Sequence, residues 1–342
     1  KLICHLWSND FVKARIAVLL FICLHLNGQE EIMEIVKEGV ELHDKGMYKE
    51  AIATYQKALD IDKRSPLVNY EIGYSFFASG EYKKAIKYMN IVIKQDKNHL
   101  RDAYITKGSC LDMLKKTKAA ITTYEKGIAL FPDDYLLQYN LGLTFFNHNQ
   151  RAAAEKHILR AIENNPIHPT SNYLLAAMCA DKGQRVEAIL PLYFFLLLEP
   201  TSNRSKDALN LLLKLLHQGV VKKDAQNIEI TINHLGFDNE FSNIDMFISL
   251  LGANVITNEE MTEEEHFVDL TESIFSICQE QRKEQKGLYW ELYIDFYIQL
   301  LETENIEAFC YYITQSKGEN VNNWIEENEQ KYNKFISWLT EQ

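Results

Sequence analysis

From Ile32 onward, apolar and small residues return at helical spacing with polar residues between them, and the pattern then repeats itself. The line Gly46-Met47-Tyr48-Lys49-Glu50-Ala51, followed by Tyr55 and Ala58, comes back as Gly80-Glu81-Tyr82-Lys83-Lys84-Ala85, followed by Met89 and Val92. Its closing small residue recurs as Ala51, Ala85, Ala120, Ala154 and Ala188, at steps of 34, 35, 34 and 34. A second small position keeps the same steps as Gly39, Gly73, Gly108, Gly142 and Ala176. A period of 34 with small, aromatic and small residues in fixed order predicts stacked pairs of antiparallel helices, A and B. The small residues belong where the two helices of a pair come closest, and the ring at the Tyr55 position fills the gap to the next pair. Pro132, Pro166 and Pro200, themselves 34 apart, end helix B, because proline has no amide donor and clashes with the preceding turn. One pair cannot bury its apolar face alone, so at least three must stack.

These residues, in this order and period, resemble the tetratricopeptide repeat (TPR) family over five units near 32–65, 66–100, 101–134, 135–168 and 169–202. The resemblance implies an all-α, right-handed α-solenoid of five helix pairs. A C-terminal helical region, 203–342, would follow as degenerate repeats or a cap. Some positions depart from the family pattern. Lys115 and Thr117 stand where the family turn resembles Gly-x-Tyr, which predicts a less regular third turn. Lys63 and Lys97 replace the usual proline, although Pro66 can open the next helix at its first turn. Pro191 lies inside the fifth helix B, where a kink is expected, with Tyr193, Phe194, Phe195 and Leu197 covered by whatever follows.

In the family, helix A lines a concave surface that binds protein or peptide. Carried over to matched positions, that surface comprises Leu67, Tyr70, Tyr74 and Phe77 from the second unit and Ile105, Ser109 and Asp112 from the third. The fourth unit adds Tyr139, Leu143, Phe146 and Asn147, and the fifth Tyr173 and Asp181. The partner-binding groove expected from the resemblance is carried by Tyr70, Tyr74, Phe77, Asp112, Tyr139, Phe146, Asn147 and Tyr173. Rings on a concave surface anchor an extended peptide or a helix, burying large area at low entropy cost. The competing expectation is that the C-terminal helices or the N-terminal segment fill the groove. TPR proteins that clamp chaperone C-terminal carboxylates use basic residues where this chain has Asp102 and Thr106, and Asn where it has Glu71. Acid in place of base repels a carboxylate, which sets that subfamily aside.

After Asn203 the register is lost while helical periodicity continues. Leu209, Leu212, Leu213 and Leu216 predict one helix, Ile228 to Leu235 another and Phe241 to Leu251 a third. Thr257-Asn-Glu-Glu260 and Thr262-Glu-Glu-Glu265 both have the form of a capping box, and because they lie only five residues apart at most one starts a helix. Tyr289, Tyr293, Phe296 and Leu300 share a helical face. Further helices carry Ile306, Phe309 and Ile313, then Ile325, Tyr332, Phe335 and Leu339. Trp290, Trp324 and Trp338 read as core.

Residues 1–28 have the layout of an export signal. Lys13 and Arg15 form a basic region, Ile16 to Leu26 an apolar core, and Asn27-Gly28 precedes Gln29 at a cleavage point. A start at Val12 would make that signal compact. The apolar run is about half the ~20 residues a span requires, so no permanent anchor is expected. The alternative is an amphipathic N-terminal helix packed on the first repeat. Residue 22 is isoleucine, which argues against a lipoprotein site at Cys23. Of Cys110, Cys179, Cys278 and Cys310, the first two are two repeats apart, too far to bridge. Cys278 and Cys310 could be neighbours, though buried free thiols are the commoner use.

The net charge of −12 argues against non-specific binding to nucleic acid or to an anionic membrane. There is no phosphate-cradling glycine loop, no His-Glu-x-x-His and no Gly-x-Ser-x-Gly, and the histidines are scattered without metal spacing. The sequence calls for no cofactor. It leads to a non-enzymatic interaction scaffold, exported to the periplasm or envelope of a Gram-negative bacterium, with a protein or peptide partner. Two alternatives stay open. One is a helical enzyme with chemistry in the C-terminal region, around Asp295, Tyr293 and Tyr297 or around Glu291 and Trp290. The other is a cytosolic assembly factor that keeps its N-terminus.

Overall fold

The computed structural model describes residues 28–95, 98–222, 228–230, 240–257 and 261–341. The residues behind the export expectation, 1–27, lie outside them. Two compact units emerge, one ending at His148 and the other starting at Asn149.

The first unit is built from helix pairs. Helix α1 (28–44) precedes α2 (Tyr48–Ile61), α3 (Pro66–Ala78) precedes α4 (Tyr82–Gln95), and α5 (Leu100–Met113) precedes α6 (Thr117–Leu130); α7 (Tyr135–Asn147) follows. Consecutive helices from α2 to α7 pack on one another, and the A helices α3, α5 and α7 also touch in sequence, which is the connectivity of a helical solenoid. Ser65 caps α3 through its hydroxyl, with Pro66 in the first turn, and Asp134 caps α7.

The small residues sit where the periodicity places them. A Cβ added at Gly39 would come within 2.2 Å of the Tyr55 ring, and one at Gly108 within 2.5 Å of the Tyr124 ring. At Gly73 it would meet the Met89 methyl at 2.5 Å. Ala51, Ala85 and Ala120 are fully buried beside these contacts. Tyr55 and Tyr124 each fill the space that a missing side chain leaves.

The A-to-B turns share one backbone design, and the third is no exception. Gly46 and Gly80 take the left-handed conformation at φ 75° and 79°, and Lys115 takes it at φ 60°. The amide of the next residue reaches back to the helix each time: Met47 to the Leu42 carbonyl, Glu81 to Phe76 and Lys116 to Leu111, at 2.8 to 2.9 Å. The expectation of a less regular third turn therefore fails. The backbone pattern overrides the side chain, at a cost of ~1–2 kcal/mol for a residue with a Cβ.

The second unit opens with α8 (Arg151–Asn164), α9 (Pro169–Asp181) and α10 (Arg185–Leu198), then α11 (Asn203–Leu216). A two-stranded antiparallel hairpin follows, β1 (Val220–Lys222) with β2 (Ile228–Ile230). Then come α12 (Ser242–Thr257), α13 (Glu263–Gln281), a π-helical turn (Tyr289–Ile294) leading into α14 (Asp295–Leu301), and α15 (Ile306–Ile313). A 3-10 turn (Gln315–Lys317), α16 (Glu319–Glu327) and α17 (Glu329–Thr340) end the chain. Of the two capping boxes, Thr262 with Glu265 starts a helix, while α12 runs through Thr257.

Helix α10 continues through Pro191 and is buried along nearly its whole length. Tyr193 lies among Phe267, Phe275, Tyr297 and Phe309, and Phe194 meets Tyr293 and Phe296 edge-on. The elements after Asn203 thus cover the fifth helix B, as expected. Arg185, 5% exposed, secures α12: its Nε donates to Asp245 Oδ1 at 2.6 Å, and Nη2 donates to Ser249 Oγ at 2.6 Å and to the Asp245 carbonyl. All four described cysteines are buried free thiols, with burial pushing Cys110, Cys179 and Cys278 up to about 12.

Three local expectations are corrected. The helix from Ile228 to Leu235 is a strand over 228–230, where isoleucines alternating with Glu229 favour an extended ladder; 231–235 lie outside the described residues. The final helix breaks at Asn328, whose side chain donates to the Trp324 carbonyl, leaving Ile325 on α16 and Phe335 on α17. The face of Tyr289, Tyr293, Phe296 and Leu300 shifts, because the wider π turn brings Trp290, Tyr293, Tyr297 and Leu300 inward and leaves Tyr289 and Phe296 half-buried.

Gly39→Ala and Gly108→Ala each gain at most ~1 kcal/mol of helix propensity. Overpacking a rigid, buried ring costs ~1–3 kcal/mol, so both variants should lose stability in urea unfolding. Gly73→Ala should lose less, since the Met89 methyl can swing aside. Equal or raised stability in the first two would show that the close approach is not a constraint.

Candidate interaction surface

Helix α3 presents Tyr70, Tyr74 and Phe77 along one side, spaced 4 and 3 residues apart, so their side chains climb the same face. All three are at least partly exposed, Tyr74 by 38%. They stand in a row with two histidines. His43 stacks on Tyr74 with centroids 5.1 Å apart and planes 12° from parallel. Tyr74 stacks on Tyr70 at 5.8 Å and 10°, and Tyr70 on His99 at 5.2 Å and 15°. Phe77 extends the row from Tyr74 at 6.2 Å and reaches Tyr82 at 6.0 Å. His43 is fixed from below by a 2.8 Å hydrogen bond between Nδ1 and Ser75 Oγ.

The two histidines were not among the expected groove residues. His43 occupies in the first unit the register of Phe77 in the second, 34 residues on, so extending the family positions by one unit would have found it. His99 precedes α5 in the left-handed conformation, φ 68°, and its position in the row follows from that turn, which no spacing rule announces.

Asp112 sits in a hydrogen-bonded cluster. His148 Nε2 lies 3.0 Å from Asp112 Oδ1 and 2.9 Å from Thr117 Oγ1, and Thr144 donates to Asp112 Oδ2 at 3.4 Å. Nearby, Ser109 Oγ and the Tyr124 hydroxyl are 2.9 Å apart. On α7, Tyr139 and Phe146 are half-buried and Asn147 is exposed. Tyr173 belongs to the second unit, where its half-buried ring lies 5.0 Å from that of Phe195.

The electrostatics along α3 are acidic. Burial raises the Glu71 carboxyl above its usual range, and the charge of Asp44 raises it further. The Tyr70 phenol is pushed up by burial, then by the nearby charge of Asp102. Asp102 is already held by Arg101, Nη2 to Oδ1 at 2.5 Å.

In the second unit, the carboxylate that the sequence offers as a candidate for chemistry is tied into an ion pair. Asp295 accepts both arms of Arg282, at 2.5 and 2.9 Å. A cleft of about 240 Å³ between Leu213, His217, His266, Phe267 and Lys317 contains two histidines, with His217 lowered by burial and then by the His266 charge. Among the described residues no group of three His, Cys, Asp or Glu could hold a metal ion, and no helix is long and apolar enough to cross a membrane.

Because folding raises the Glu71 pKa, its ionisation opposes folding. The favourable contribution is complete below the unfolded value near ~4.3 and is lost as pH rises through the folded value. Glu71→Gln should therefore melt higher than the natural chain at pH 7, with the gain gone by about pH 4. A lower melting temperature at pH 7 would mean that Glu71 makes a stabilising contact.

Comparison with known proteins agrees with the repeat register. The family model for anaphase-promoting complex, cyclosome, subunit 3 matches residues 44–127, and a tetratricopeptide-repeat model matches residues 139–193. RNA polymerase II-associated protein 3 of Mus musculus is 26% identical over 106 residues, which are 31% of this chain and 16% of that protein. Similar solved structures include a thermophilic TPR protein of Thermus thermophilus, 17% identical, covering 53% of this chain and 99% of that one with a TM-score of 0.47. PilF of Pseudomonas aeruginosa is 16% identical, covering 80% and 99% at 0.45. YrrB, a TPR protein with an unusual peptide-binding site, is 20% identical, covering 54% and 96% at 0.39. With the 34-residue register, the helix pairs and both family matches in agreement, this chain is a tetratricopeptide-repeat protein.

Proposed function

We propose that the chain is a non-enzymatic interaction scaffold, exported to the periplasm or cell envelope, whose first unit binds a peptide or a helix of a partner protein along the aromatic face of α3. The single observation that carries this reading is the row of five rings from His43 through Tyr74 to Tyr70 and His99, with Phe77 beside it. Rings already stacked on one another have little rotamer freedom left to lose, so a partner meets a preorganised apolar surface. Their polar tips can bind a partner backbone. Export is supported by the basic, apolar and small-residue order of residues 13–28.

Two experiments test the two halves. With Tyr74→p-benzoylphenylalanine, irradiation in native extract should give discrete protein adducts that disappear when Tyr70→Ala is added. The same replacement at Lys87, exposed on α4, should give none. Equal adducts from both positions would overturn binding at this face. Sequencing of the native N-terminus should read from Gln29, and a start upstream of it would overturn cleavage and export.

A further inference from the structure

The row of rings has a regular step. From His43 through Tyr74 and Tyr70 to His99 the centroids advance by 5.1, 5.8 and 5.2 Å, and successive planes lie 12°, 10° and 15° from parallel. Near-parallel planes keep the ring edges side by side, as the rungs of a ladder. Such a ladder sorts partners by the spacing of the side chains they present. On one face of an α-helix, residues three and four apart rise about 4.5 and 6.0 Å, with a mean of about 5.4 Å per turn. All three steps lie between those limits. Residues on one face of a strand are about 6.7 Å apart, longer than any step, and over three steps the mismatch grows to roughly 4 Å, more than half a rung. A polyproline II helix returns to one face only every ~9.3 Å. A strand also needs partners for its backbone, which in strand addition come from a sheet edge. The described residues of the first unit, 28–95 and 98–148, contain helices and turns and no strand. A helix arrives with its backbone bonds already made.

Resting on the interaction surface proposed above, we infer that its occupant is an amphipathic α-helix of the partner protein, laid along the row with lysine or arginine on its flanks. Four positions on one face of that helix, i, i+4, i+7 and i+11, then meet four rings, one each. The ladder is set before the partner arrives, since Tyr70 and Tyr74 share α3 and His43 is held by Ser75. Charge specifies the flanks. Helix α1 carries six acids, all exposed, against the single base Lys37, and α3 carries Glu71 and no base. Asp44 directly follows His43 at one end of the row, and Glu71 directly follows Tyr70 within it. Basic side chains beside an apolar ridge match that sign, and their long stems cover ring surface on the way to the acids.

The test uses the full chain with His43→p-benzoylphenylalanine and, separately, His99→p-benzoylphenylalanine. Each is irradiated in native extract, and the crosslinked residue of the partner is located by mass spectrometry. A helix along the row places the two crosslinked residues ~11 positions apart in the partner's sequence, whereas a strand places them ~5 apart. The captured segment should have apolar residues at every third or fourth position and a net positive charge. Synthesised as a peptide, it should lose at least ~100-fold in affinity for the natural chain when a central residue becomes proline, and little when the same residue becomes alanine. Crosslinks from position 74 identify the same segment, so the proline measurement decides the matter even where circular dichroism shows that a histidine replacement disturbs the fold. A separation near 5, or a proline peptide that binds like its parent, overturns the helix and leaves the interaction surface standing. Capture from position 74 with none from folded chains altered at 43 or 99 does the same. A net acidic segment overturns the partner assigned here. No adduct from any of the three positions removes the surface and the helix together.

Discussion

The first unit depends on tyrosine rings occupying the space above a bare helix backbone. Tyr55 lies against Gly39 and Tyr124 against Gly108 so closely that any β-carbon would enter the ring. Glycine inside a helix costs ~1 kcal/mol against alanine. Burying an aromatic side chain of 150–250 Å² contributes roughly 4–6 kcal/mol at most by area. The ring wins the comparison, so the glycines persist and the interhelical distance is set by ring thickness. That sets the spacing of helices A and B within those pairs, from which each A helix presents its outer side chains.

The same constraint explains why so much of the fold was legible. A small residue required at every crossing and a left-handed residue required at every turn both write a period of 34 into the sequence. The turn at Lys115 marks the limit of reading residue by residue. Lysine is a poor choice for φ 60°, yet the hydrogen bonds to Asp112 and Leu111 hold it there. Ile228–Ile230 marks another limit, because a short apolar run has no period long enough to separate helix from strand. In α14 the preceding π turn moved the inward face by one position, and no pattern in Tyr289–Leu300 announces such an insertion.

Of the interaction surface, the sequence showed the row Tyr70, Tyr74 and Phe77 but not its ends. His43 and His99 look like ordinary surface or capping histidines when taken singly, and they become part of a surface only when α1 and the turn before α5 bring them to α3. Asp112 was legible as a position and not as a role. It is tied to His148 and Thr144, so it stiffens the neighbouring repeat, whereas Glu71, noted in sequence only for its sign, has no such tie. Helical spacing says where a side chain stands along its own element. What faces it from the next element decides whether it is used internally.

Buried phenol oxygens are not all treated alike, and the contrast separates the roles of ring and hydroxyl. In the second unit, Tyr193, Tyr293 and Tyr297 are wholly enclosed, and each has a partner between 2.6 and 2.8 Å. Those bonds hold α13 and α14 against the fifth repeat, so polarity there serves the fold. In the first unit Tyr55 keeps a hydroxyl without a partner, at ~1–3 kcal/mol relative to a satisfied one. Phenylalanine would fill the same space over Gly39 without that penalty. Packing therefore accounts for the ring and not for its oxygen. Glu71 on α3 is likewise disfavoured as a charge, by burial first and then by the charge of Asp44.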